Sequence, residues 1–254
     1  MAYQKPTQVI PLPSKGLIYA KDNPLSSGTI EMMFGGAAQE DILANDSFKE
    51  EGTTMTRLIK SLIVSKINYD DIIVGDKNAI FVASRILMFG KYYDLNYLLP
   101  GEYKPKQIKV DLTTIKDKSF NESSIQPGKN EFEFVLPITG VNITYKLLTH
   151  KDEESIATEI AAMKKHYNEE NTKEASIHWY HKIVAVNGDR STAAIRDFVN
   201  NGLITMDSVE LGKNMYENSP GIDFKFDYIL ENGEVLEGLP LPINTTFFRS
   251  PYLL

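Results

Sequence analysis

The chain has 254 residues, of which 42% are hydrophobic and 24% charged, a balance that excludes a wholly disordered chain and suits one large domain or two small ones. Its formal net charge is −7, which argues against a dominant phosphate-tracking surface and hence against nucleic acid as the main partner. Cysteine is absent, so disulfides, iron–sulfur clusters, thiolate zinc sites and a cysteine nucleophile are excluded.

No apolar run reaches 18 residues and no apolar stretch follows the N-terminal lysine, so neither a membrane span nor a secretory leader is expected. Residues 1–30 read as extended. Pro11-Leu-Pro13 fixes two φ angles, Ser14-Lys-Gly16 reads as a turn, and Leu17-Ile-Tyr19 as a short strand. A second strand is expected over 29–34, ended by Gly35-Gly36.

Residues 37–99 read as helical. A short helix over 37–44 carries Gln39, Glu40 and Asp41 near its positive end. Met55, Leu58, Ile59, Leu62 and Ile63 recur at helical spacing and predict a helix from Thr53 or Thr54 to about Lys66. A third helix is expected over 77–89, with Asp76 as its cap and Gly90 past its end. Arg85 is the odd residue there, flanked on its face by Phe81, Val82, Met88 and Phe89. Its guanidinium must snorkel, bind a ligand or find a carboxylate, and an ion pair with Glu40 or Asp41 is the leading expectation.

Residues 100–148 change character. Ile108, Val110 and Leu112 alternate with polar residues as in a half-buried strand. Phe132, Phe134 and Leu136 also alternate, Pro137-Ile-Thr-Gly140 turns the chain, and 141–148 returns. Together these predict a small three-stranded antiparallel sheet. Helices follow over 149–219: one opened by a Thr149/Asp152 capping box, one over 173–186, one from Ser191 or Thr192 to Val199, and one from Thr205 to about Asn218. Phe224, Phe226 and Tyr228 then alternate as a strand before the hairpin dipeptide Asn232-Gly233. The expected class is therefore α+β: two mainly helical regions flanking a small antiparallel sheet, with extended terminal segments. The organisation reads as 1–99, 100–148 and 149–254.

Candidate chemistry is sparse. His178 and His181 stand three apart on an expected helix, without an H-E-x-x-H context, and read as an amphipathic face. His150 and His166 have no motif partners. Phosphate-binding glycine fingerprints and a G-x-S-x-G elbow are absent. The lysines at 104, 106 and 109 read as edge protection of a strand. No cofactor, metal or catalytic residue is assigned. The positive signal lies in the two apolar, proline-containing ends. Leu12, Pro13, Leu17 and Tyr19 at one end and Leu239, Leu241, Phe247 and Phe248 at the other are candidate partner-binding residues, with packing on their own domain as the alternative. Glu40, Asp41, Asp76 and Arg85 are candidate structural residues.

Several stretches, in order along nearly the whole chain, resemble the T-even-type myophage baseplate family of hub subunits and hub assembly proteins. They are Leu12-Pro-Ser-Lys-Gly-Leu-Ile-Tyr19; Ala38-Gln-Glu-Asp-Ile-Leu43; Ile72-Ile-Val-Gly-Asp76 running to Arg85-Ile-Leu-Met-Phe-Gly90 and Tyr93; Phe134-Val-Leu-Pro-Ile-Thr-Gly140 leading to Lys146-Leu-Leu148; and Phe247-Phe248 with Pro251. Some relatives carry cysteine pairs after the position of Pro100, as in a zinc ribbon; this chain has none, so metal binding does not carry over. Gly35-Gly36 stands where relatives have a threonine cap. The resemblance implies a non-enzymatic late protein that acts in the host cytoplasm and promotes assembly of the baseplate hub by contacts with other hub proteins. A permanent hub subunit is the alternative, and a hydrolase the reading from another class.

Overall fold

The computed structural model describes residues 3–166, 173–243 and 247–248. The fold is mixed α+β, with eight α-helices and five small antiparallel sheets among the described residues. Strand β1 (Thr7–Pro11) pairs with β2 (Thr29–Met33) in a register that places Val9 opposite Glu31. The chain between them is a compact series of turns, with no strand at Leu17-Ile-Tyr19. Leu12, Ile18, Tyr19 and Leu25 point into the core instead.

Four helices follow: α1 (Ala37–Ala44), α2 (Asp46–Glu50), α3 (Thr54–Leu62) and α4 (Val74–Phe89). The sequence reading did not foresee α2, whose cap is Asn45: its Oδ1 accepts from the Phe48 N–H. α3 stops short of Lys66 because Ile63 and Val64 leave the helix to meet β2, where the Val64 N–H donates to the Glu31 carbonyl. α4 buries Ile80, Val82, Ala83 and Leu87, and Gly90 ends it at a φ of 82° that a side chain would resist.

Strand β3 (Tyr92–Tyr97) forms a hairpin with β4 (Lys106–Asp111). β3 falls within 37–99, the stretch expected to be helical. Its inward side chains, Tyr93 and Leu95, alternate with the exposed Tyr92, Asp94 and Asn96, which suits a half-buried strand. After the short β5 (Asp117–Lys118) come β6 (Phe132–Val135) and β7 (Asn142–Tyr145), which pair as the expected hairpin. Helices α5 (His150–His166) and α6 (Glu174–Lys182) lead to β8 (Ile183–Val186).

That strand corrects two expectations. The helix forecast over 173–186 ends at Lys182, because Ile183-Val-Ala-Val186 is rich in β-branched residues that suit a sheet better than a helix. It also completes the sheet β6-β7-β8, a place the sequence reading gave to the Ile108 strand. Helix α7 (Thr192–Asp197), capped by Ser191, runs into a wide turn at Phe198–Gly202 and then α8 (Thr205–Asn218). Strand β9 (Gly221–Ile222) pairs with β5, and the hairpin β10 (Lys225–Ile229) and β11 (Val235–Pro240) turns over Asn232-Gly233 as forecast. One continuous cluster of buried apolar residues runs from Leu12 to Phe248. Strand pairs bridge the chain across both segment boundaries read from sequence: β3 with β4, and β7 with β8.

Candidate functional site

Two aspartates organise the molecule. Asp76, the third residue of α4, is fully buried. Its Oδ1 accepts from the Ser14 N–H at 2.9 Å, and its Oδ2 accepts from the Ser14 hydroxyl at 2.6 Å and the Tyr19 hydroxyl at 2.7 Å. The Tyr19 oxygen accepts in turn from the Ile73 N–H at 3.1 Å. Asp76 is thus not the helix cap expected of it. It sits inside the first turn and holds the Pro13-Ser-Lys-Gly16 turn from a distance of 62 residues in sequence. Burial pushes its carboxyl above the usual range and outweighs the downward pull of the donors. Burial, with the Asp76 charge alongside, also pushes the Tyr19 hydroxyl up.

Asp207 repeats this device. It is the third residue of α8, also fully buried, and it accepts from the Ile138 N–H at 2.9 Å, the Thr139 N–H at 3.1 Å and the Thr139 hydroxyl at 2.7 Å. Pro137-Ile-Thr-Gly140 is therefore latched to a helix start, as Pro13-Ser-Lys-Gly16 is. Burial pushes the Asp207 carboxyl up, but the three donors outweigh it and hold the carboxyl below the usual range. Around this second latch the surface is apolar: Val135, Ile138, Ile204, Met206 and Val209 are all exposed, Met206 by 65%.

The candidate partner-binding side chains lie elsewhere than expected. Leu12, Pro13, Tyr19, Leu239, Leu241, Phe247 and Phe248 are buried in this chain's own core, and Leu17 is half-buried. Phe247 stacks on Phe81 of α4 at 5.3 Å, and its ring meets Tyr93 of β3 edge-on at 5.0 Å. Phe248 meets Phe81 edge-on at 5.0 Å. The end segments carry too much apolar surface to stay in water when a receptive face lies on the same chain. Of the two readings of these side chains, facing a partner or packing on their own domain, the burial within this chain matches the second.

Arg85 is also placed differently. It is 3% exposed, and its hydrogen bonds go to backbone carbonyls, not to Glu40 or Asp41. Its guanidinium donates to the Gly90 and Tyr92 carbonyls at 3.2 and 3.4 Å and lies over the Phe89 ring at 4.9 Å. Glu40 is half-buried and Asp41 exposed. The residue of that motif that bonds across elements is Gln39, which accepts from the Gly36 N–H and from Lys5 Nζ, and donates to Ser61. A glutamine three positions after the helix cap was the available signal, since it can reach back to the cap N–H.

Among the described residues the histidines do not converge. His178 is exposed, and His181, half-buried, lies 3.1 Å from Glu159 of α5 through Nε2. The amphipathic reading of α6 holds: Ile177 is buried, and Trp179 and Tyr180 are half-buried. The side chain of His166 lies outside the described residues. His150 opens α5, is 3% exposed and meets the Tyr69 ring edge-on at 4.6 Å. Thr149 and Asp152 form the expected reciprocal cap in front of it: the Thr149 N–H donates to Asp152 Oδ2, and the Asp152 N–H to Thr149 Oγ1. Lys106 pairs with Glu102 and Lys109 faces Asp94, so these strand lysines are matched by carboxylates.

Among the described residues no helix is long and apolar enough to cross a membrane. Compared with protein-family models, curated proteins and solved structures, the chain matches none of them.

Proposed function

We propose that this chain is a non-enzymatic assembly factor that promotes formation of the central hub of a contractile-tail baseplate through contacts with other hub proteins. The observation that carries the reading is the apolar surface at the second latch. Val135, Ile138, Met206 and Val209 are 50–65% exposed around a turn that Asp207 holds in place. An apolar surface on a pre-shaped turn suits a partner protein, because little is lost in ordering it on binding. The two mainly helical stretches, 37–89 and 150–218, are the body that presents it. The ordered stretches that resemble the phage baseplate family supply the class of partner, and the host cytoplasm as the place of assembly. The burial of Leu12, Tyr19, Leu239, Leu241, Phe247 and Phe248 makes this surface, rather than those side chains, the contact region of choice.

The test is association of the purified chain with baseplate hub proteins, together with mass spectrometry of finished tails and assembly intermediates. Ile138→Asp with Met206→Asp should abolish association while the chain stays folded. Presence in intermediates and absence from finished tails fits an assembly factor; a fixed copy number in finished tails would make the chain a permanent hub subunit. Unchanged association of the double variant would sink this surface as the interface.

A further inference from the structure

We propose that Asp70, His150 and Glu154 form a binding site for a single first-row divalent metal ion. His150 is the first residue of α5 and Glu154 lies one turn along the same face; Asp70 comes from the tight turn Tyr69–Asp71 that precedes α4. Backbone hydrogen bonds clamp the two segments together, from the His150 N–H to the Ile72 carbonyl at 2.8 Å and from the Val74 N–H to the Leu148 carbonyl at 2.9 Å. One ligand atom from each of the three residues lies within 4.8 Å of the other two.

The imidazole supplies an independent pointer. The His150 side chain is 4% exposed, yet among the described residues neither ring nitrogen has a hydrogen-bond partner. A buried polar group left so is costly and calls for an explanation. Nε2 stands 3.1 Å from Glu154 Oε1 without making a hydrogen bond. That is the spacing of two ligands on one ion: bonds of about 2.0–2.1 Å place neighbouring ligand atoms roughly 3 Å apart. An imidazole with two carboxylates is a mixed nitrogen and oxygen set, which favours zinc or manganese over calcium, whose sites are built from oxygen alone. The carboxylate side chains are 42% and 58% exposed, so an ion can enter. Lys60 Nζ lies 3.9 Å from Asp70 Oδ1 and is the cation an incoming ion would displace. Lys77 is held by Glu153.

The experiment is calorimetric titration of the full chain with Zn²⁺, and separately with Mn²⁺, alongside thermal unfolding with and without the ion. One ion should bind per chain and raise the unfolding temperature. Asp70→Asn and Glu154→Gln should each weaken binding about tenfold or more and remove the thermal shift, and Lys60→Met should tighten binding. His150→Gln removes a buried side chain, so the two carboxylate variants, whose side chains are partly exposed, keep the test decisive if it does not fold. His178→Gln with His181→Gln should bind as the parent does. The proposal is overturned if no saturable binding occurs, if the carboxylate variants bind like the parent, or if only the α6 variant loses the ion.

Discussion

The Tyr19 hydroxyl donates to Asp76 Oδ2 at 2.7 Å and accepts from the Ile73 N–H at 3.1 Å, which makes one phenol the link between the N-terminal turn and the start of α4. Removing either end of that link leaves donors unmatched in a dry site. Tyr19→Phe strands the Ile73 N–H and should cost about 1–3 kcal/mol. Asp76→Ala strands the two Ser14 donors and the Tyr19 hydroxyl together, and should cost about 3–5 kcal/mol. Urea unfolding of both variants measures the difference; equal costs would contradict this ranking, and a cost below about 0.5 kcal/mol for Asp76→Ala would show that the latch contributes little.

The two latches should also respond to acid with opposite sign. In the fold the Asp76 carboxyl is raised above its ordinary value of 3.8, so the folded chain takes up this proton more readily than the unfolded one. Its stabilising contribution is complete below 3.8 and is lost as pH rises through the raised value. Asp207 is lowered, so its contribution is complete above 3.8 and is lost as pH falls through the lowered value. Stability measured against pH should therefore lose one slope above 3.8 in Asp76→Asn and a different one below 3.8 in Asp207→Asn. If both variants flatten the same limb, the assignment of direction fails.

The latches also mark where sequence reading stops. Thr149 and Asp152 are three residues apart, and a capping box can be read from that spacing alone; it forms as expected. Asp76 precedes an apolar run, as a cap would. Its partners lie 62 and 57 residues away, and no local spacing encodes them. The partners of Asp207 are as distant, 69 and 68 residues away. The hairpins at Pro137-Ile-Thr-Gly140 and Asn232-Gly233 were legible because turn chemistry is local. The pairing of β8 with β7 was not, because Ile183 and Val186 continue the apolar spacing of α6 until the tertiary sheet captures them. Hydrophobicity likewise identified the terminal segments as apolar, and was silent on whether their cover came from this chain or another.

Gly75 and Gly35 separate backbone packing from side-chain packing. A Cβ on Gly75 would run into the Pro220 carbonyl, where the segment entering β9 crosses the first turn of α4. Backbone cannot step aside without disturbing the neighbouring β5–β9 pair, so Gly75→Ala should cost more than about 2 kcal/mol although alanine favours helices. A Cβ on Gly35 would meet the Met88 side chain alone, and methionine can change rotamer. Gly35→Ala should therefore cost about 1 kcal/mol or less. Thermal unfolding of the two variants side by side tests the ranking, and the reverse order would contradict this packing.

The aromatic contact at the C-terminal end gives the strongest test of where that segment belongs. Phe247 is fully buried between Phe81 and Tyr93, and Phe248 meets both Phe81 and Phe247 edge-on, at 5.0 and 5.5 Å. Phe247→Ala should open a cavity and cost about 3–5 kcal/mol, in the range of buried aromatic truncations. Phe248→Ala should cost less when made second, because both rings share Phe81 and their losses are not additive. Ending the chain after Ile243 should uncover Phe81 and Tyr93 and raise the binding of an apolar dye to the folded chain. If instead the truncated chain keeps its stability and its dye binding, while association with hub proteins is lost, then the two phenylalanines serve a partner and not the core. Only that pattern would restore the arm as an interface, because a core role predicts lost stability first.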